Sequence, residues 1–370
     1  MEWWELPGPS SFVSEISNDL RDGKNVIVCL PEHSPDGLRT AVRSLRGDDV
    51  SWSTLSCEEM GDRSPLDWLS DQFPVNEESP SDIRDISNFL KRDCFVGRII
   101  WLGEMRSDKW SRWRDFLSKY EHVCRGIDLL RRTVFCILLS GVRIADLPHE
   151  DVCLVIRKYQ NKVSPLDIQL FTWDRRGGSP AGNLLEELRL EIVANLAQWD
   201  GKLAEWLLKR SLNDLLNVDS ILQEEAQRRG WCDAISVLGE KAWSRGITYC
   251  MDSREVVHSC IFSLRNSEAL CHRIWKSQLR VLYPFVEEQR QMLLKQLKNY
   301  LSVPYTTRFG EIIKDIRDLE IGHIEAILKG NNRFRDQSLL DRIAALREIR
   351  NHLAHMEIVD LRLLELIAIK

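Results

Sequence analysis

Six short apolar runs in the first half of the chain restrict its fold more than any other feature. They are Asn25–Leu30, Val50–Leu55, Arg98–Leu102, Thr133–Leu139, Val152–Ile156 and Ile168–Trp173. Each has the length of a strand, and runs that are apolar nearly throughout predict strands covered on both faces, while Val50–Leu55 alternates as a half-buried strand does. Between them lie helical stretches: one capped by Ser10 or Ser11 and carrying Phe12, Val13, Ile16 and Leu20, an amphipathic segment Leu38–Leu45, and Lys109–Cys124. Alternation of this kind predicts an α/β layered domain with a mainly parallel sheet over residues 1–180. Met60–Pro80, rich in Pro, Ser and acid, reads as an insertion or surface loop within it.

After Arg175-Arg176-Gly177-Gly178-Ser179-Pro180 the pattern turns helical. Leu184–Leu212 and Val218–Arg229 carry apolar residues at three- and four-residue steps, and 230–265 reads as a small mixed module, so that 181–265 forms a mostly helical linker or lid region. Residues 266–370 predict an all-α helical bundle. Its helices are Leu270–Leu282, a second beginning at Pro284 and reaching Leu301, a third capped by Thr306 or Thr307 and ending at Gly330, then Gln337–Ala354 and Val359–Ile369.

Composition narrows the class of protein. No apolar run approaches the roughly 18–20 residues of a membrane-spanning helix, and Met1-Glu2-Trp3-Trp4-Glu5 lacks the basic-then-apolar layout of a secretion signal. The ten cysteines show no CxxC pair, which points to a cytoplasmic chain of reduced thiols without a cysteine-based zinc site. The net charge of −5 is uneven: Asn266–Lys370 carries about 17 basic against 14 acidic residues, which makes this third the better candidate for nucleic-acid contact.

An α/β domain opening on a helix, a Gly-containing turn and a buried strand invites a nucleotide-hydrolase reading. That chemistry needs a Gly-rich loop whose amides close on phosphates, a Lys, and a Ser/Thr for Mg²⁺. The corresponding residues are Pro31-Glu32-His33-Ser34-Pro35-Asp36-Gly37-Leu38-Arg39. Two prolines remove donors there and two acids repel polyphosphate. In Ile99-Ile100-Trp101-Leu102-Gly103-Glu104, Gly103 stands where a metal-binding acid is required. The layout resembles the AAA+/STAND class of P-loop ATPases with an eroded catalytic loop. ATPase activity and a bound cofactor are therefore not expected, and the domain reads as a regulatory module or a dock for a protein partner.

The sharpest motif is Arg350-Asn351-His352-Leu353-Ala354-His355. At about 100° per residue, Leu339, Ile343, Leu346, Ile349 and Leu353 form one stripe, and Arg350 falls inside it beside Ile343. A desolvated guanidinium requires a partner. An acid on the preceding helix (Asp315, Asp318 or Glu320), a second subunit or a phosphate would supply it. Asn351 and His355, four residues apart, share another face. Arg-x4-His with Asn after Arg, inside Leu346-Arg347-Glu348-Ile349-Arg350-Asn351-His352-Leu353-Ala354-His355, resembles the HEPN family over roughly the last 100 residues.

The resemblance implies metal-independent RNA cleavage by a homodimer that joins two motifs in one cleft, often in bacterial anti-phage defence or toxin-like systems. His355 would serve as general base or acid, Arg350 would stabilise the charge building on phosphorus, and Asn351 would hold the histidine or the phosphate. His352, Arg347 and Lys314 would contact RNA. Many members of the family have lost the activity, so a non-catalytic adaptor that assembles through the same domain is the alternative. In that alternative Arg350 fixes a helix–helix contact.

Other polar clusters carry less. His323 lies on the stripe Ile312, Ile316, Leu319, Ile327 and reads as a core histidine; Trp110, Arg112, Trp113 and Arg114 fit an ordinary helix-to-sheet face better than a strand-binding surface. His149-Glu150-Asp151 are consecutive, so they do not converge on one ion, and a surface turn after Pro148 explains them. No metal is expected.

Overall fold

Five of the six apolar runs become strands of one sheet in the computed structural model, which describes residues 1–47, 50–74, 86–90, 92–105, 107–142, 146–175, 183–233 and 240–368. β1 (Asn25–Leu30), β2 (Ser51–Leu55), β3 (Arg98–Met105), β4 (Val134–Ser140) and β5 (Leu154–Lys158) lie in the order β2-β3-β4-β1-β5. Every neighbouring pair is parallel. β1 pairs on both sides, Val26 with Cys136 and with Val155, and is buried along its whole length. The helices of this half are α1 (Pro7–Arg21), α2 (Leu38–Arg46), α3 (Pro65–Gln72), α4 (Ile86–Phe89), α5 (Ser107–Cys124) and α6 (Pro165–Asp174). Trp113, Phe116 and Tyr120 of α5 meet Phe135 of β4 at ring distances of 5.9, 5.8 and 5.0 Å, so that aromatic stretch is core.

The structure departs from the sequence reading in three places in this half. Ile168–Trp173 is helical, in α6, because Pro165 stands at its first turn and Asp167 accepts from the Ser164 amide at 2.7 Å. α1 begins at Pro7, ahead of Ser10, with a proline again preset for the first turn. Within Met60–Pro80, Pro65–Gln72 forms α3 under a Ser64 cap, and 75–80 lie outside the described residues, as do 176–180 of the Arg175–Pro180 boundary.

The chain divides into two compact units. One comprises Met1–Phe171, Trp199–Lys202 and Ser236–His258; the other Thr172–Gln198, Leu203–Ile235 and Ser259–Lys370, so the stretch 181–265 is shared between them. Next in the chain come α7 (Leu184–Ala197), α8 (Gly201–Leu207), α9 (Leu212–Leu216), α10 (Asp219–Arg228) and α11 (Glu240–Ser244), then an antiparallel hairpin of β6 (Thr248–Met251) and β7 (Arg254–Val257). The predicted Leu184–Leu212 helix is thus broken, at Gln198 with φ 59. In the first unit Trp3 donates to the Tyr159 hydroxyl at 2.9 Å and packs edge-on against Phe171 at 5.1 Å.

The second unit is helical around α13 (Ser267–Gln296), which packs on α7, α12 (Ser259–Arg265) and α15 (Gln337–Ala354). Pro284 does not start a helix but lies inside α13. Leu282 and Val286 on either side of it are buried, and that packing carries the helix across the missing N–H. Thr306 and Thr307 do not cap the helix; Thr307 accepts from the Glu311 amide at 3.1 Å. Tyr305–Thr306 (β8) and Ile312–Ile313 (β9) form a small hairpin instead, and the helix α14 (Ile321–Gly330) starts later, after a 3-10 turn at Ile316–Asp318. α16 (Leu361–Ala368) closes the unit against α15. Among the described residues no helix is long and apolar enough to cross a membrane.

Two outcomes follow for the α/β unit. A Cβ at Gly8 would collide with the Lys162 carbonyl oxygen, so Gly8→Ala should lower unfolding stability by about 2–3 kcal/mol in urea titration. On α5, burial and the Asp151 charge push the Glu121 carboxyl from its ordinary 4.5 up to about 7, against the opposing pull of Arg125. The folded state therefore holds a proton the unfolded chain has released, and stability falls as pH rises through that window. Glu121→Gln should flatten the decline between pH 5 and 8 in urea midpoints measured across that range.

Candidate functional site

The motif helix α15 begins at Asp336, whose carboxylate accepts from the Leu339 amide at 2.9 Å. Ile343, Leu346, Ile349 and Leu353 are buried as their spacing requires. Arg350 is not. Its side chain keeps 41% of its accessible surface and pairs with Glu320 at 3.0 Å. The wheel position lies inside the stripe, but the long stem carries the guanidinium out to the surface. The guanidinium is therefore not the desolvated charge among leucines that its spacing predicts.

Glu320 is the N-cap of α14 and forms a reciprocal capping box with His323, whose Nδ1 accepts from the Glu320 amide at 3.2 Å. One carboxylate thus serves the positive end of a helix and the Arg350 guanidinium together. His323 is half-buried at this cap and not in the core. Beside them, Arg290 forks onto Glu287 and donates to the carbonyls of Arg317 and Leu319 at 2.9 and 3.0 Å. The Arg290 hydrogen bond, with Gln291 and the charge of Arg350 adding less, holds the Glu287 carboxyl below its usual range. The Arg350 charge thus reaches Glu287 as well as its ion-pair partner Glu320.

The other end of the motif is differently built. His355 is the C-cap of α15, its amide bonded to the Asn351 carbonyl at 3.0 Å. Met356 follows with φ 59, and the Glu357 amide returns to the His352 carbonyl at 2.9 Å. This is the pattern in which a left-handed residue ends a helix and satisfies its last carbonyls. Behind the turn, Trp275 of α13 donates to the Leu353 carbonyl at 2.9 Å, and Gln278 exchanges hydrogen bonds of 2.7 and 2.8 Å with the Val359 backbone. The Asn351 and His355 side chains are exposed and hydrogen-bonded to nothing among the described residues.

Of the expected RNA contacts, Arg347 pairs at 2.9 Å with Glu325, which is 2% exposed and also holds Lys329 at 2.7 Å. Arg347 is thus part of a structural network between α14 and α15. His352 Nδ1 lies 3.0 Å from Glu357, and Lys314 is exposed beyond β9. Among the described residues no side-chain hydrogen bond or ion pair links Arg350 to Asn351 or His355. Spacing could not have found Trp275, Gln278 or Glu287, which are remote in sequence; only Glu320 was in view beforehand.

In the α/β unit, the loop at Pro31–Gly37 opens a cavity of about 300 Å³ at the carboxyl ends of the strands, lined among others by Leu30, Asp36, Gly37, Thr54 and Trp101. Crevices at this end of parallel strands are where α/β sheets take ligands. Here the Asp36 carbonyl accepts from Trp4 at 2.7 Å, its carboxylate pairs with Lys202 at 3.1 Å, and Arg39 is the one basic residue among the described lining. Among the described residues no cluster of three or more His, Cys, Asp or Glu could hold a metal.

The motif-helix geometry yields a contrast in stability. Arg350→Met breaks an exposed pair and should cost less than about 1 kcal/mol. Arg347→Met leaves a buried carboxylate with Lys329 alone and should cost about 1–3 kcal/mol. Urea unfolding of the two variants checks the order; a larger loss at Arg350 would contradict it.

Neither a protein-family profile nor a curated protein matches this chain. Solved structures similar to it include Saccharomyces cerevisiae RIF2, at 14% identity over 55% of this chain and 84% of that one, TM-score 0.31. A signal-transduction ATPase with numerous domains and a tetratricopeptide repeat sensor, from Pyrococcus horikoshii, matches at 10% identity over 95% and 57%, TM-score 0.35. A mutant RuvB of Thermotoga maritima matches at 9% over 71% and 94%, TM-score 0.36. Similarity at this level carries nothing about activity.

Proposed function

We propose that the helical unit is a metal-independent endoribonuclease of HEPN type, acting in a defence or toxin-like system, with the α/β unit as its regulatory or partner-docking module. The observation that supports this reading is the exposed last turn of α15: Asn351 and His355 stand open to solvent, and the neighbouring Arg350 pairs with a carboxylate that is itself 45% exposed. An exposed ion pair contributes at most about 1 kcal/mol. A phosphate diester offers the guanidinium a charged, two-oxygen acceptor in exchange.

The chemistry needs no metal. A ribose 2′-oxygen attacks the adjacent phosphorus, and a new P–O2′ bond forms as the P–O5′ bond breaks. His355 accepts the 2′ proton or delivers one to the leaving 5′-oxygen; imidazole is suited to either, since its ordinary titration range spans neutrality. Arg350 stabilises the charge on the phosphoryl oxygens and Asn351 hydrogen-bonds one of them. Two copies meeting at this end of α15 would supply both an acid and a base.

The paired state of Arg350 and Arg347 within one chain favours a second reading, a non-catalytic adaptor whose motif helix only holds the unit together. Cleavage separates the two. Purified full chain should cut single-stranded RNA in EDTA and leave 2′,3′-cyclic phosphate ends. His355→Ala should lower the rate by about a hundredfold or more with an unchanged circular dichroism spectrum. Undiminished cutting by that variant, or no cutting at all by the unsubstituted chain as a dimer, would sink the nuclease reading.

A further inference from the structure

Several cations of the helical unit are tied to carboxylates, among them Arg280 to Glu191, Arg290 to Glu287, Arg317 to Asp315, Arg347 to Glu325 and Arg350 to Glu320. At the end of α15 away from His355 three are not. Lys298, Arg333 and Arg335 are exposed, and none of them is ion-paired among the described residues. Two chain segments far apart in sequence put aromatic rings among them. The turn closing α13, with the Tyr300 amide bonded to the Leu297 carbonyl at 2.8 Å, sets Tyr300 two residues after Lys298. A second turn sets Phe334 between the two arginines: the Asn331 side chain accepts from the Arg333 amide at 3.0 Å and its carbonyl from the Phe334 amide at 3.0 Å.

The two segments meet in space. Tyr300 and Phe334 pack edge to face with ring centroids 5.3 Å apart, and Tyr300 remains 39% exposed. In Lys298–Tyr300 and Asn331–Asp336 the single carboxylate is Asp336, which is occupied in capping α15. The result is an aromatic platform flanked by three cations.

We propose that this platform binds single-stranded nucleic acid, RNA and DNA alike. A base stacks on the open face of Tyr300 while flanking phosphates pair with Lys298, Arg333 and Arg335, the combination by which single strands are held without sequence preference. Stacking and phosphate pairing do not read the 2′-hydroxyl, so the sugar is indifferent. A duplex keeps its base faces stacked inside and cannot use the platform. α15 is about 27 Å long at its ordinary rise, so a strand seated here and running along that helix reaches the Asn351–His355 end within about eight nucleotides at ~3.4 Å each. The binding itself does not depend on cleavage.

Fluorescence anisotropy on the full chain tests it with three labelled probes: a 12-mer of deoxythymidine, a 12-mer of 2′-O-methyluridine, which lacks the nucleophile and cannot be cut, and a 12-base-pair RNA duplex. The two single strands should bind within about threefold of each other and the duplex at least about tenfold more weakly. Replacing Arg333 and Arg335 together by Gln should weaken single-strand binding about tenfold or more and reduce the salt slope by about 1.4, at ~0.7 per lost phosphate contact. Tyr300→Leu, which keeps apolar bulk against Phe334, should weaken it at least about fivefold with the slope unchanged. Absence of single-strand binding, equal binding of the duplex, or variants that bind like the unsubstituted chain would overturn the proposal. Because neither single strand can be cut, these results stand whichever way the His355→Ala experiment falls.

Discussion

One carboxylate governs the motif end of the helical unit. Glu320 closes the first turn of α14 and receives the Arg350 guanidinium at 3.0 Å, with both side chains nearly half exposed. The same pair of helices carries a contrasting interaction, Arg347 on a Glu325 that is 2% exposed. A buried carboxylate stripped of a cation is left with an uncompensated charge, whereas an exposed one is rehydrated. The two arginines, three residues apart, are therefore unequal: Arg347 secures the contact between α14 and α15, and Arg350 can change partner without loosening it. That inequality makes a phosphate role for Arg350 physically reasonable despite the ion pair.

Much of the secondary structure was legible in sequence. Gln337–Ala354 has the same limits in both readings, since Asp336 caps it and its apolar spacing is unbroken. The buried runs that became β1, β3 and β4 needed only their composition to be read. The failures share a cause, tertiary packing or turn chemistry overriding a local rule. Ile168–Trp173 looks like a strand until the Ser164–Asp167 cap is taken into account, and Pro284 looks like a helix start until Leu282 and Val286 are seen buried on either side. The Tyr305–Ile313 hairpin is too short to leave a period-2 signal.

The candidate site was legible only in outline. Spacing placed Asn351 and His355 on one face, and both are exposed. It also placed Arg350 among leucines, because a wheel of Cα positions does not show where a long side chain ends. Trp275 and Gln278, which fix the backbone beyond Leu353, are more than 70 residues away in sequence and no periodicity connects them to the motif. In the α/β unit, by contrast, the segment singled out in sequence after β1 does line the strand-end cavity, through Pro31, Ser34, Pro35 and Asp36.

A phosphate role for Arg350 requires that its pair with Glu320 be readily exchanged. A double-mutant cycle of Glu320→Gln and Arg350→Met, read as unfolding free energies of the full chain, measures their coupling directly. The expected coupling is below about 1 kcal/mol. A value of about 3 kcal/mol or more would mark the pair as a fixed structural element and contradict a guanidinium available to phosphate.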